Sequence, residues 1–398
     1  MPGERLKIAL IGAGRRGRGS HLPVLRALND VYELVAVCDR DPEVAQAVAA
    51  ECGIRGYTDL RELIARERLD AADVVVPVDG HHAVCALLAR AGVHVLVETP
   101  IAATRRLADL MIAEAAKANT VLEVAENYYR MPSERFVSRL IEAGWIGEVS
   151  RIHRIFHEGG YHGMSLLRLR AGAPPASILG IRHSTAVRPH TDRMLRRHEC
   201  EEWSFAAVTF TNGVMALMAY SNVVHARSLG RGQTGIMQID GSEGTIVGDT
   251  VHRVPADAWE SGARAEAFTP RRRTRAVGGV EVLETIELEA GGETVAWENP
   301  LARYPLREGQ VSVADELLSL ADAVRRAGAP EYGAAAGRLD QEMAIGMSES
   351  GRRSGETLTF PLPDPLAAEQ AIEARIRRET GCEPDDIERL VDVFFPRR

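Results

Sequence analysis

A glycine-rich turn set between an apolar run and a helix constrains this chain more than any other feature. Residues 6–11, Leu-Lys-Ile-Ala-Leu-Ile, form the short apolar run that a buried parallel strand needs. Gly12-Ala13-Gly14-Arg15-Arg16-Gly17 follows at once, then a helical stretch around Leu22 to Leu28, then a second strand from Tyr32 to Cys38 that ends at Asp39. Gly12 permits a tight turn, Gly14 lets the backbone approach a diphosphate, and Gly17 lets the helix pack close to the strand. The free N–H groups at the helix start attract phosphate oxygens. Asp39 stands about 20 residues on, where a carboxylate can accept hydrogen bonds from an adenosine ribose and repel a 2′-phosphate. The expected cofactor is therefore NAD, tightly held, ahead of NADP. Arg40 works against that preference, since a guanidinium there can hold the extra phosphate.

The alternation continues. Helices are expected over Ala45 to Cys52, Asp59 to Glu67, His81 to Ala91 and Leu107 to Ala118, with strands at Ala72 to Val76, Val93 to Val97 and Val121 to Val124. Strand and helix in turn specify an α/β, doubly wound parallel sheet, the Rossmann architecture. Ligands of such sheets lie beyond the carboxyl ends of the strands. Pro77, Glu98 and Asn127 all follow strand ends and are expected to ring the nicotinamide; Arg15, Arg16, His81 and Thr99 complete the expected cofactor set.

Composition limits the partners. The 398 residues carry a net charge of −8, which argues against nucleic acid. The run Arg271, Arg272, Arg273 reads as a solvated loop within a polar stretch at 255–275. No window reaches the roughly 18 consecutive apolar residues of a membrane helix, and residues 8–11 are too short for a signal-peptide core. Five scattered cysteines without a Cys-x-x-Cys pair imply a reducing cytoplasm and no metal site.

The chain resembles the glucose–fructose oxidoreductase, inositol dehydrogenase and rhizopine-catabolism (Gfo/Idh/MocA) family. The matching pieces run in order: residues 12–17, His81 to Gly92, Val93-His94-Val95-Leu96-Val97-Glu98-Thr99-Pro100, Glu126-Asn127-Tyr128-Tyr129-Arg130, Gly144 to Val149, and Asp240-Gly241-Ser242-Glu243-Gly244-Thr245. The resemblance implies two domains, 1–125 for the dinucleotide and 126–398 for substrate binding and oligomerisation, the latter built on a large open, mostly antiparallel sheet and including C-terminal helices within 366–395. It also implies a carbohydrate-like substrate and a homo-oligomer, dimer or tetramer. Strand-like segments at Val149 to Phe156, Trp203 to Phe210, Val214 to Ser221 and Gly235 to Ile239, and the Asn212-Gly213 turn, agree.

The family usually carries Glu-Lys-Pro where this chain has Glu98-Thr99-Pro100. Of 48 basic residues only Lys7 and Lys117 are lysines, and neither sits where it could replace the missing one. Threonine is a poor acid–base at neutral pH. The family's second element is a histidine four residues after an aspartate, and Glu158-Gly159-Gly160-Tyr161-His162 is the best placement. His162 is then the acid–base, with Glu158 and Tyr161 beside it as further catalytic groups, Tyr161 as a phenol whose pKa an adjacent charge lowers. His153, His157, His183 and His190 are rivals. Tyr129, Arg130, Arg182 and His183 are candidates for holding an oxygen-rich substrate; Arg188 is a further possibility. A zinc site from His157, Glu158 and His162 matches no established spacing. Three functions remain open: a sugar dehydrogenase or reductase, an NAD-dependent redox-neutral glycosidase (a lysine-less subgroup to which residues 98–103, 126–130 and 159–162 look similar), and a non-catalytic dinucleotide binder.

Overall fold

The computed structural model describes residues 4–155, 160–191, 197–222 and 235–396. The first unit has six strands: β1 (Leu6–Ile11), β2 (Tyr32–Cys38), β3 (Arg55–Tyr57), β4 (Ala71–Val74), β5 (His94–Val97) and β6 (Leu122–Val124). All pair in parallel in the order β3-β2-β1-β4-β5-β6. The order reverses beside β1, and that switch point opens the crevice in which such sheets bind ligands. Ile8, Leu10, Val37, Val74 and Leu96 are buried, as expected of strands covered on both faces. The covering helices are α1 (Leu22–Ala27), α2 (Pro42–Cys52), α3 (Leu60–Arg66), α4 (Val78–Arg90) and α5 (Arg105–Ala118). Asp41, Asp59 and Thr104 cap α2, α3 and α5 through their side-chain oxygens.

The second unit holds a nine-stranded sheet. Its strands are β7 (Val149–Ile155), β8 (Pro175–Thr191), β9 (Arg197–Phe210), β10 (Met215–Ser221), β11 (Ile236–Gly241), β12 (Gly244–Val247), β13 (Thr250–Arg253), β14 (Glu266–Phe268) and β18 (Leu358–Thr359). The order is β14-β13-β12-β11-β7-β10-β9-β8-β18, antiparallel except between β7 and β10. A separate three-stranded sheet joins β15 (Arg271–Val277), β16 (Val280–Ala290) and β17 (Glu293–Glu298). The stretch expected as a polar loop at 255–275 therefore includes two strands, β14 and the first half of β15. Arg271, Arg272 and Arg273 lie in β15, where exposed arginines pair across strands and loops with Glu287, Glu308 and Glu284, the last through Arg275. Charge obscured the strand, because an edge strand exposed on both faces has no apolar alternation to show.

Helices α6 (Pro132–Glu142), α7 (Gly160–Ala171), α8 (Glu308–Arg326) and α9 (Ala334–Arg352) fill the space between the sheets, and α10 (Ala367–Thr380) and α11 (Ile387–Phe394) end the chain. Helix α9 lies on β8 at close range: a Cβ at Gly180 would fall 2.2 Å from the Met347 carbonyl. Both α10 and α11 return to the first sheet. Arg105 at the start of α5 is buried against Glu369 at 2.6 Å. Arg61 of α3 holds Glu388 and Asp392 of α11 at 2.6 and 2.7 Å. Among the described residues, no helix is long and apolar enough to cross a membrane.

Candidate active site

The glycine turn is built as its spacing demands. Gly12 has φ +92°, and a Cβ there would lie 2.4 Å from the Val75 carbonyl oxygen. A Cβ at Gly17 would lie 2.2 Å from the Gly12 carbonyl oxygen, so only glycine lets the helix start this close to β1. At Gly14 a Cβ would meet no protein atom within 4 Å. Gly14 instead borders a cavity of about 200 Å³ that it shares with Asp39, Arg40 and Pro77. Asp39 accepts from the Ala13 amide at 2.7 Å and the Asp41 amide at 2.9 Å. Each carboxylate oxygen has a second lone pair, so Asp39 keeps capacity for ribose hydroxyls. The residues present thus fit a dinucleotide: a backbone cradle, an open approach and an anchored acid. Pro77, expected near the nicotinamide, belongs to this adenosine half of the crevice. Arg15 is exposed at the helix start.

The helix after the turn opens with a π turn, Gly17–His21, before α1. Such turns recur at functional sites. Here the extra residue turns His21 inward, fully buried, between two carboxylates: Nδ1 lies 2.9 Å from Asp73 and Nε2 2.9 Å from Glu98. Burial alone would lower the His21 pKa, but Asp73 and Glu98 outweigh it and raise it to about 10. Arg16 donates to the same Glu98 oxygen through a short ion pair. Burial would raise Glu98, yet His21 and Arg16 hold it well below the usual carboxylate range. Arg16 and Glu98, both expected at the cofactor, are therefore partners of each other across 82 residues. Glu316 of α8 adds a buried carboxyl whose oxygens have no hydrogen-bond partner among the described residues; burial pushes its pKa well up.

A second constellation stands beyond the ends of β5 and β6. Helix α7 begins at Gly160, so His162 sits in its first turn. His162 Nδ1 lies 2.9 and 3.1 Å from the two oxygens of Glu126, which is fully buried just after β6. Its ring packs on Tyr128 at 4.1 Å between centroids. Nε2 is 3.5 Å from the Thr99 hydroxyl, at the position where related sequences carry lysine. The imidazole side chain is 27% exposed. A carboxylate at Nδ1 favours the N–H there and leaves the Nε2 lone pair facing the Thr99 hydroxyl. Asn127 lies between these partners, almost buried.

The remaining expectations divide. His81 is a staple: its nitrogens lie 3.0 and 2.8 Å from the carbonyls of Pro100 and Val76, tying together the loops after β5 and β4. Tyr161 is buried, its hydroxyl 3.1 Å from that of Tyr332, which in turn bonds Asp340. Burial raises its pKa well above the ordinary value, so the expected lowering is reversed. Adjacent helical residues point about 100° apart, so His162 facing the cleft turns Tyr161 into the interior. Arg130 is fully buried and committed to Glu123, Glu331 and Asp315 at 2.8, 3.1 and 3.5 Å. The neighbouring Tyr129 packs under Arg130 and Arg135. Arg130 is thus engaged by three carboxylates, and Tyr129 is buried beneath two guanidinium groups. Arg182 and His183 lie on β8, three strands from β7 and so about 14 Å across the sheet. Arg182 lies over Gly351 and His183 bonds Thr185. Glu158 and the rival His157 lie outside the described residues.

Sequence reasoning missed His21, Asp73 and the orienting role of Glu126. For Glu126 a signal existed: an acid directly after a strand end, in a motif already singled out. For His21 none did, because a π turn shifts the register that helical spacing assumes.

The crevice, its glycine turn and its acid have the features of a dinucleotide-binding Rossmann unit. Residues 6–126 match the Gfo/Idh/MocA family model, described as an oxidoreductase family with an NAD-binding Rossmann fold. The chain is 36% identical over 145 residues to a D-apiose dehydrogenase of Paraburkholderia graminis, covering 36% of this chain and 38% of that one. It is 27% identical over 229 residues to a UDP-N-acetylglucosamine 3-dehydrogenase of Acidithiobacillus ferrooxidans, covering 55% and 68%. The match thus spans under half the length of the first of these relatives. The fold is shared with the WlbA dehydrogenase from Bordetella pertussis, solved with NADH and UDP-GlcNAcA: TM-score 0.64, 19% identity, 90% of this chain and 100% of that one.

Proposed function

We propose that the protein is an NAD-dependent dehydrogenase or reductase acting on a secondary hydroxyl, or the matching ketone, of a carbohydrate-like substrate. The observation that carries this reading is the Glu126–His162 pair, which turns Nε2 toward the Thr99 hydroxyl just beyond the end of β5. When bound, the nicotinamide supplies a hydride acceptor or donor. His162 takes the hydroxyl proton at Nε2 as the carbinol is oxidised and returns it in the reverse direction. Glu126 balances the imidazolium that forms and keeps the ring turned toward the cleft. Thr99 offers its hydroxyl as a neutral hydrogen-bond partner where lysine would bring a charge. His162 combines a buried carboxylate at one ring nitrogen with only a neutral hydroxyl, at 3.5 Å, near the other.

The sugar dehydrogenases among the relatives support this substrate class. NAD is favoured over NADP because the Asp39 carboxylate stands where the ribose hydroxyls would lie, although Arg40 borders the same cavity. A redox-neutral glycosidase needs a second acid near the leaving group. Tyr161 is turned away from that role, which favours the dehydrogenase. A homo-oligomer is supported by the uncovered face of the nine-stranded sheet, where Ile181, Phe205, Leu217 and Ile236 stand 40–51% exposed.

The test is to strip the purified protein of nucleotide, titrate it with NAD and NADP, then supply free sugars, sugar acids and aryl glycosides. NADH formation from a free sugar or sugar acid is expected. Aglycone release without net NADH would replace this reading with the glycosidase, and cofactor binding without either reaction would leave a non-catalytic binder.

A further inference from the structure

The far end of the chain reaches the cofactor crevice. The cavity that holds Gly14, Asp39 and Arg40 is closed on one side by Phe394 and Phe395, the last turn of α11 and the residue after it. Phe395 is 2% exposed. The placement is built from several sides. Gly80 in the first turn of α4 makes room for the Phe394 ring, since a Cβ there would lie 3.0 to 3.1 Å from three of its carbons. His82 on the same helix lies 2.6 Å from the Pro384 carbonyl. Arg61 and Arg90 both grip Glu388, at 2.6 and 3.2 Å. Four residues of the nucleotide-binding unit thus hold one short C-terminal helix in a fixed position over the crevice.

We infer that Phe394 and Phe395 form the wall against which the adenine of the dinucleotide packs, making the C-terminal helix a cofactor-retaining element. The inference rests on the reading of this crevice as the dinucleotide site. With the diphosphate at Gly14 and the ribose at Asp39, the attached base must lie beyond Asp39, between the ends of β2 and β4. The surfaces available there are Val76, Pro77 and the two phenylalanines. A flat purine gains most from an aromatic surface, and such contacts do not depend on base hydrogen bonding. The wall therefore adds affinity for the adenosine half and leaves the nicotinamide half untouched.

The experiment is calorimetric titration of nucleotide-stripped protein with NAD, ADP-ribose and nicotinamide mononucleotide, on wild type and Phe394→Ala. The variant is expected to raise the Kd for NAD and for ADP-ribose by about tenfold, or about 1.4 kcal/mol, with nicotinamide mononucleotide unchanged. Phe394→Tyr should restore wild-type affinity. Gly80→Ala provides a second variant should Phe394→Ala not fold: it displaces the ring without removing it and should weaken ADP-ribose in the same way. Equal Kd values for wild type and folded variants overturn the inference, as does a loss shared equally by nicotinamide mononucleotide. Failure of wild type itself to bind NAD or ADP-ribose defeats the underlying reading of the crevice instead.

Discussion

Two histidines of this protein each rest on a carboxylate, and they differ in what meets their second nitrogen. His21 has a carboxylate at each nitrogen and no exposure at all. His162 has Glu126 at one nitrogen and the Thr99 hydroxyl near the other. An imidazole clamped twice stays protonated through the neutral range and acts as a fixed cation, joining β4, β5 and the helix after the glycine turn. An imidazole clamped once is oriented and balanced but can still exchange its proton. The second nitrogen, held by a carboxylate in His21 and facing only a hydroxyl in His162, separates a fixed cation from the histidine proposed to move a proton.

The comparison breaks most sharply on stability. His21→Ala leaves Asp73 buried without its cation and leaves Glu98 with Arg16 alone, so unfolding by urea should show a loss of about 3–5 kcal/mol. A loss below about 1 kcal/mol would mean that the clamp does not hold these loops. The complementary variant, His162→Ala, should lower kcat at least about a hundredfold while the urea midpoint and the NAD Kd stay put. An unchanged rate removes His162 from the mechanism. Glu126→Gln sharpens the contrast: an amide can still accept the Nδ1–H but no longer balances the charge on the ring, so kcat should fall about tenfold. Equal activity in that variant would reduce Glu126 to packing.

The smallest effect is a slope. Because folding raises the His21 pKa from 6.5 to about 10, its contribution to stability is complete below pH 6.5 and is lost as pH rises through about 10. Glu98 is shifted the other way, so its contribution is present above 4.5 and lost as pH falls below that. Thermal melts of wild type should therefore weaken from pH 7 to 10, and the slope should flatten in His21→Ala. A slope identical in both proteins would assign the alkaline loss to other groups.

Much of this was legible in the chain itself. The glycine turn, the acid at Asp39 and the alternation of the first 125 residues are local signals, each set by a few neighbours. His162 was preferred to its rivals on the family resemblance alone. Its partner could not be chosen that way, since Glu126 and His162 stand 36 residues apart and meet only when a strand end and a helix start converge. Tyr161 was assigned to the site because it adjoins His162 in sequence, and helical geometry sends the two apart. Arg130 looked free because its three carboxylate partners come from β6, α8 and the segment before α9. In a chain with this many arginines, burial decides which are committed, and burial is not written in any short window.

The chain repeatedly crosses back to where it began. After the nine-stranded sheet is under way, α8 returns to accept the Tyr32 hydroxyl at the Leu317 carbonyl, Arg338 of α9 reaches Asp109, and α10 and α11 settle against α3, α4 and α5. A polypeptide laced this way has no simple seam along which one half can melt and leave the other standing. Scanning calorimetry should accordingly record one heat-absorption peak for the entire molecule, and proteolytic trimming of the final thirty residues should loosen the amino-terminal layer first.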